Sequence, residues 1–261
     1  MSLEILGLIS FLFRIKGRIM TKLILAITLI LAFVLQFVAQ QPVAKTSAAP
    51  KFDAEIALAK LALEAHGGEK LRSMKTLITS GSVDVTTSAI NQKIPATFYV
   101  VIAREKYRFE IMNPFQPIKQ VFDGINTSTT IQGGLTLPPI TRLGFPLLPM
   151  VGEPGFIITS LPEAKKKEKG FRMTSPDGYY TDFYLDEKTK QIKGYDSTYD
   201  INGRSVTTSV AVDKFRVVDG ISVPEKYAQR IDTEQITLYA DFKAKEILVN
   251  TPVDDNVFSI K

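Results

Sequence analysis

Few side chains in this chain could make or break a covalent bond. It has one histidine, His66, and no cysteine. Nucleophilic catalysis needs a hydroxyl or thiol activated by a neighbouring base. No serine lies in a nucleophile-elbow pattern, and without cysteine neither a thiolate metal site nor a disulfide framework can form. His66 precedes Gly67-Gly68 and reads as a helix C-terminal cap rather than a catalytic base. Asp254-Asp255 could be drawn as a metal site, but an acidic turn before a last strand is the simpler reading. Tyr195, Asp196, Tyr199 and Asp200 read as the solvated side of a hairpin. The basic run Lys165-Lys166-Lys167 with Lys169 could meet anionic lipid head groups, while a solvated helical face is the plainer account. Asn126-Thr127-Ser128 matches a glycosylation sequon, and no glycine-rich phosphate loop of either common type is present. The chemistry-bearing residues therefore point to no enzyme and no cofactor.

What stands out instead is apolar. Residues 134–152, GLTLPPITRLGFPLLPMVG, are rich in leucine yet broken by Pro138, Pro139, Pro146 and Pro149. Each proline removes a backbone donor and interrupts regular pairing. Leu135, Leu137, Ile140, Leu143, Phe145, Leu147, Leu148 and Met150 are then expected on irregular or short helical backbone that something else must cover. Arg142 is the only charge between Gly134 and Gly152, placed to meet a carboxylate, an ester oxygen or a free helix end.

Those elements sit in a chain of 261 residues with a formal charge of +5. Residues 1–50 hold Arg14, Lys16, Arg18, Lys22 and Lys45 against Glu4, which leaves 27 basic and 26 acidic residues in the remainder, a net +1. A near-neutral domain has no electrostatic footprint for nucleic acid. Residues 23–39 are almost unbroken apolar sequence behind a basic flank, the layout of an export leader. The run lies between a signal h-region and a minimal membrane span, so a cleaved leader and an uncleaved anchor both satisfy it. The basic flank sends the rest of the chain across the membrane, and the expected location is the periplasm. Met20 offers an alternative start, and Ser47-Ala48-Ala49 offers small residues for cleavage after Ala49. Residues 1–49 are read as leader and linker, and residues 50–261 as one domain, a size that all-β folds commonly reach undivided.

Within that domain, residues 54–66 read as a helix capped by Asp53, with Ile56, Ala57, Leu61 and Ala65 near helical spacing and Gly67-Gly68 ending it. From Thr76 onward, period-two alternation dominates. Tyr107, Phe109 and Ile111 oppose Arg108 and Glu110, and Ile236, Leu238, Ala240 and Phe242 oppose Thr237, Tyr239 and Asp241. Asp123-Gly124, Asp177-Gly178, Asn202-Gly203 and Asp219-Gly220 are pairs favoured in hairpin turns. The pattern predicts an α+β, mainly antiparallel fold: a large meander interrupted once, by residues 134–152 and a basic helical piece over 161–169. A sheet of this size must bury its apolar face, yet one helix and one irregular insertion are all that can cover it. A curled sheet so covered leaves room for a ligand. The alternative is that 134–152 plugs a solid core.

Four segments together resemble the bacterial outer-membrane lipoprotein-sorting carriers of the LolA/LolB type and their lipid-carrying relatives. They are ALEAHGGEKLRSMKTL (62–77), AREKYRFEI (103–111) with QVFDG (120–124), the hairpin series over 179–242, and VNTPVDDNVFSI (249–260). The resemblance implies a curved, incomplete β-barrel covered by an N-terminal helix and an apolar lid, with acyl chains held inside. In the best-known soluble member of that family an arginine just before the aromatic strand bonds to the lid; Arg104 matches it only with one residue of slack. The family's usual tryptophans are absent. With no cysteine to carry a lipid of its own, the chain is similar to the soluble or leader-tethered carriers rather than to membrane-anchored receptors.

The expected function is thus a periplasmic carrier of lipid or acylated lipoprotein that performs no bond chemistry. The expected wall residues are Tyr99, Val101, Tyr107, Phe109, Ile111, Val121, Phe183 and Phe242. Leu143, Phe145, Leu148 and Met150 are expected from the lid, with Arg104 and Arg142 as polar lid contacts. An envelope membrane surface or membrane protein is a further partner under this reading. The rival is a protein-interaction or envelope-sensing module on the same fold with a filled interior.

Overall fold

The computed structural model describes residues 52–260 apart from 89, 116, 132–135, 166, 202 and 233–236, and of 90 and 91 the backbone only. The leader, the start at Met20 and the cleavage position after Ala49 fall outside the described residues. So do Gly134, Leu135, Lys166, Asn202 and Ile236.

Helix α1 spans Asp53–Ala65 and a single turn, α2, spans Glu69–Arg72. Asp53 is the first helical residue and not the cap; Phe52 holds the N-cap position without a side-chain bond. The carboxylates of Asp53 and Glu55 in the first turn still suit the positive end of the helix dipole. The buried stripe is Ala59, Ala62 and Leu63, whereas Ile56 and Leu61 are exposed. With alanine and leucine spread around its circumference, the helix does not declare its inner face in sequence.

Twelve strands form one sheet after these helices. They are β1 Thr76–Thr87, β2 Ile90–Ala103, β3 Lys106–Met112, β4 Ile118–Phe122, β5 Thr127–Thr129 and β6 Ile157–Thr159, then β7 Gly170–Thr174, β8 Tyr180–Leu185, β9 Ile192–Ile201, β10 Arg204–Val218, β11 Ile221–Asp232 and β12 Thr237–Val249. The spatial order is β5-β4-β3-β2-β1-β12-β11-β10-β9-β8-β7-β6, with antiparallel pairs throughout. The antiparallel architecture is as the alternation predicts. Asp219 at φ 52° and Gly220 at φ 83° give the β10–β11 hairpin the left-handed pair that type I′ turns require.

The sheet is open, its edges are β5 and β6, and these are consecutive in the chain. Residues 130–156 must therefore cross from one edge to the other, so the proline-rich segment spans the gap of the curled sheet. It folds there as two short 3-10 helices, Ile140–Arg142 and Phe145–Met150.

Around the sheet, two segments depart from the alternation-based expectation. Residues 161–169 do not form a basic helix but one 3-10 turn, Glu163–Lys165. Lys165 is not freely solvated either: its ammonium reaches Asp196 at 2.7 Å and Asp182 at 3.1 Å. At the C-terminus no strand succeeds Asp254-Asp255. Asp254 caps a 3-10 turn, Asp255–Phe258, by accepting from the Asn256 amide at 2.9 Å, and Phe258 packs with Ile78, Val101 and Val121 on the outer face of the sheet.

Candidate functional site

The inner face of the sheet encloses a cavity of about 600 Å3, within the size range of small-molecule sites. Its walls come from β1–β4 on one side and β9–β12 on the other, so the sheet curls far enough for both arms to face one chamber. Among the described residues that line it there is no Lys, Arg, His, Asp or Glu. The lid divides in two. Leu137, Pro138, Ile140, Leu143, Phe145 and Pro146 roof the cavity, while Leu147, Leu148 and Val151, at most 1% exposed, join Ala62 and Leu63 of α1 in the core. The first half is a cover over space and the second half is a plug. α1 supplies no residue to the cavity wall.

Of the residues expected from sequence, Phe109, Ile111 and Phe242 lie on the wall, and Leu143 and Phe145 on the roof. Tyr99, Val101 and Val121 do not: they face outward, in the cluster around Phe258. Strand β2 reads Phe98-Tyr99-Val100-Val101-Ile102, apolar at both parities, because the C-terminal segment covers its outer face. Phe98, Val100 and Ile102 are the inward set. A one-residue error in parity exchanges the two faces. Tyr107 has the inward parity but lies fully buried outside the lining, its hydroxyl accepting from Gln120 Nε2 at 2.6 Å. Phe183 is fully buried against Phe171, with ring centroids 5.1 Å apart. Leu148 and Met150 pack into the core and not against the cavity. Arg104 sits exposed at φ 56° in the β2–β3 turn.

It is the next residue that reaches the lid. Arg142 Nη2 lies 2.8 Å from Glu105 Oε2 in that turn, and its Nε 3.5 Å from Asp177 Oδ2 in the β7–β8 turn. The lid supplies the cation and the turns supply the acids. Because β2–β3 and β7–β8 belong to opposite arms of the sheet, one guanidinium ties both arms to the roof.

Gln120 is a functional residue that sequence reasoning misses. Only 1% exposed, it donates from Nε2 to Leu137 O at 2.8 Å and accepts from the Leu137 amide at Oε1 at 2.6 Å. Its carboxamide thus completes both backbone groups of Leu137. The one signal in sequence is its parity with Ile118, which puts an amide on the inward face of an otherwise apolar strand. Further along, the Gly144 amide donates to Thr181 Oγ1 at 3.0 Å. Gly144 stands at φ 61°, and a Cβ there would meet the Tyr195 ring at 2.5 Å, so only glycine lets the lid settle on that ring. Arg72 Nη1 holds the lid's far end through Glu153 Oε1 at 3.1 Å.

The cluster Tyr195, Asp196, Tyr199 and Asp200 is not one solvated face. Tyr195 and Tyr199 point into the cavity, Asp196 binds Lys165 on the other side, and Asp200 accepts from the Gly203 amide in the hairpin turn. His66 takes the C-cap position of α1 and is fully buried. Its Nε2 accepts from the Ile192 amide at 3.0 Å, which leaves Nδ1 to donate to Ser222 O at 2.8 Å.

An open antiparallel sheet curled around a mostly apolar chamber and crossed by a lid between its two edges defines a half-barrel. Among solved structures the chain is similar to a LolA superfamily protein from Nitrosomonas europaea, at 10% identity over 81% of this chain and 99% of that one, with a TM-score of 0.49. It is also similar to a putative outer membrane lipoprotein-sorting protein domain from Vibrio parahaemolyticus, at 10% identity over 80% and 97% with a TM-score of 0.44. A DUF1329 family protein from Desulfovibrio piger matches at 11% identity over 81% and 98%, with a TM-score of 0.45. No protein-family model matches the sequence, and no curated protein matches it significantly. The fold assignment stands on the chain's own strand order and pairing.

Proposed function

We infer that this protein is a periplasmic carrier that holds the acyl chains of a lipid or acylated lipoprotein in the cavity and makes or breaks no bond. The observation that supports this reading is the uncharged 600 Å3 chamber under a lid that joins the sheet's two edges. Burial of each methylene is worth about 0.8 kcal/mol, so a chain that buries ten of them gains about 8 kcal/mol. That corresponds to a dissociation constant near 1 μM before ordering costs. Among the described residues no helix is long and apolar enough to cross a membrane.

The test is native mass spectrometry of the full-length chain, expressed with export and purified without detergent. Co-purified lipid mass is the expected result; a ligand-free protein that also ignores fatty-acyl probes overturns the reading. The filled-interior alternative is disfavoured by the cavity itself.

Release would require the roof to lift, and Arg142 is the charged tie against that motion. Its partners Glu105 and Asp177 are about half exposed, and exposed ion pairs are each worth about 0–1 kcal/mol. Arg142→Gln is therefore expected to change unfolding stability by less than about 1 kcal/mol. In the same variant the release rate of a bound apolar fluorophore, measured by stopped flow, should rise by up to about fivefold, the rate equivalent of about 1 kcal/mol. An unchanged release rate would show that the roof opens without breaking this tie.

A further inference from the structure

The cavity wall formed by β9 and β11 carries polar groups of two kinds. Some are already paired: Tyr199 Oη lies 2.9 Å from Thr208 Oγ1, and Ser197 Oγ lies 2.8 Å from Thr181 Oγ1. Others face the chamber with capacity to spare. The Tyr195 hydroxyl lies near the Phe145 backbone amide, which favours its oxygen as acceptor, and Tyr195 lines the chamber. Tyr227 is stacked on Phe242, with centroids 4.7 Å apart and planes 11° apart, and its hydroxyl has no hydrogen-bond partner among the described residues. Two positions further along β11, on the same face, the Gln229 carboxamide also lines the cavity without a partner among the described residues.

No fully buried side-chain nitrogen or oxygen lacks a partner among the described residues, so these donors are open to the chamber. A ligand that displaces water there must accept from them or leave them unpaired at a cost. Burial pushes the Tyr195 phenol up to about 12, so it remains a neutral donor at physiological pH. Among the described residues no charged side chain lines the chamber, so none of them supplies a cation to balance an anion there. An ionised carboxylate placed there would lose its hydration without gaining a counter-charge, whereas a neutral carbonyl oxygen needs only the hydrogen-bond donors that Tyr195, Tyr227 and Gln229 present.

We propose that Tyr195, Tyr227 and Gln229 form a recognition site for the neutral carbonyl of an ester or amide linkage. The cavity then selects esterified or amide-linked acyl chains over ionised fatty acids. This rests on the reading of the cavity as an acyl-chain site, and it adds the chemical form in which the chain is accepted.

The experiment compares three probes of equal chain length on the full chain at pH 8: methyl laurate, laurate and dodecane, each displacing a bound apolar fluorophore. Methyl laurate is expected to bind about tenfold more tightly than either of the others, the increment of one or two net hydrogen bonds. Tyr227→Phe keeps the ring and its stacking on Phe242, and it should bring methyl laurate down towards dodecane while leaving dodecane unchanged. Gln229→Leu is expected to act in the same direction. Equal affinity for ester and alkane, or laurate binding as well as its ester, overturns the carbonyl site while leaving the acyl cavity standing. Failure of all three probes to displace the fluorophore overturns the cavity reading and this inference with it.

Discussion

Replacing His66 with alanine is expected to lower the unfolding free energy by about 3–5 kcal/mol. The imidazole fills a fully buried position and meets Phe145 and Phe215 edge-on, at centroid distances of 5.4 and 4.9 Å. It also satisfies the Ile192 amide and the Ser222 carbonyl. The substitution leaves a void and two backbone groups without partners, and each orphaned group alone costs about 1–3 kcal/mol. The loss falls where the C-cap of α1 meets β9 and β11, beside Phe145 of the lid, so the helix end and the lid should loosen together.

The same residue sets a pH dependence. Burial holds the His66 imidazole below its ordinary 6.5, by more than the Ser222 hydrogen bond raises it. Above pH 6.5 the ring is neutral in folded and unfolded chains alike, and its contribution to stability is fully present. As pH falls from 6.5 through the folded value, the unfolded chain takes up a proton that the fold resists, and stability declines. The carboxylates Asp196 and Glu225 have values depressed below the ordinary 3.8 and 4.5, so their loss comes at lower pH. Although burial alone would raise the Asp196 value, the Lys165 and Tyr184 hydrogen bonds hold it down; Glu225 is held down chiefly by Arg216. Urea unfolding at pH 7.5 and 5.5 should therefore show a decline in the natural protein that His66→Ala lacks. An equal decline in both proteins would show that the buried neutral ring is not its source.

The second large effect concerns the cavity. Ala240 is 8% exposed, lies on the wall, and is paired in the sheet with Val85 and Gln229. Ala240→Trp places an indole into the chamber from the middle of β12. If it displaces about five methylenes of a bound chain it removes about 4 kcal/mol of binding, close to a thousandfold in dissociation constant. Because the side chain enters existing space, the overpacking penalty of about 1–3 kcal/mol seen in filled cores should be largely avoided. The expected result is loss of co-purified lipid and of fluorophore binding with a melting temperature within a few degrees of the parent. Retained binding would place the ligand elsewhere on the molecule.

Legibility in sequence varies with how many faces of an element are covered. Strand β3 has one apolar parity, and alternation alone places Phe109 and Ile111 inward, as the structure does. Strand β2 is apolar at both parities, and its expected inward set is one residue out of step with the observed one. Strand β4 shows the same ambiguity, where the expected wall residue is Val121 and the actual ones are Ile118 and Gln120. In α1 the apolar positions surround the axis, so the expected face misses Ala59 and Ala62. The acids that meet Arg142 cannot be read at all, since Glu105 and Asp177 lie 37 and 35 residues from it in the chain.

The sequence by itself determined what local sterics and hydrogen bonding control. Alternation and Asx-Gly turns specify antiparallel hairpins, and four prolines keep residues 136–152 out of any strand. The sequence holds no cysteine and a single histidine, so it supplies neither a thiol nor a second imidazole. Tertiary structure decided everything that depends on which distant segment lies opposite. Pairing of β1 with β12 leaves β5 and β6 as the open edges, and that makes the intervening chain a bridge over the chamber. Packing of the C-terminal turn on β1–β4 decides which parity faces inward. The roof then closes on Gln120, Thr181 and the two acids around Arg142, each an interaction between groups whose separation along the chain carries no local signal.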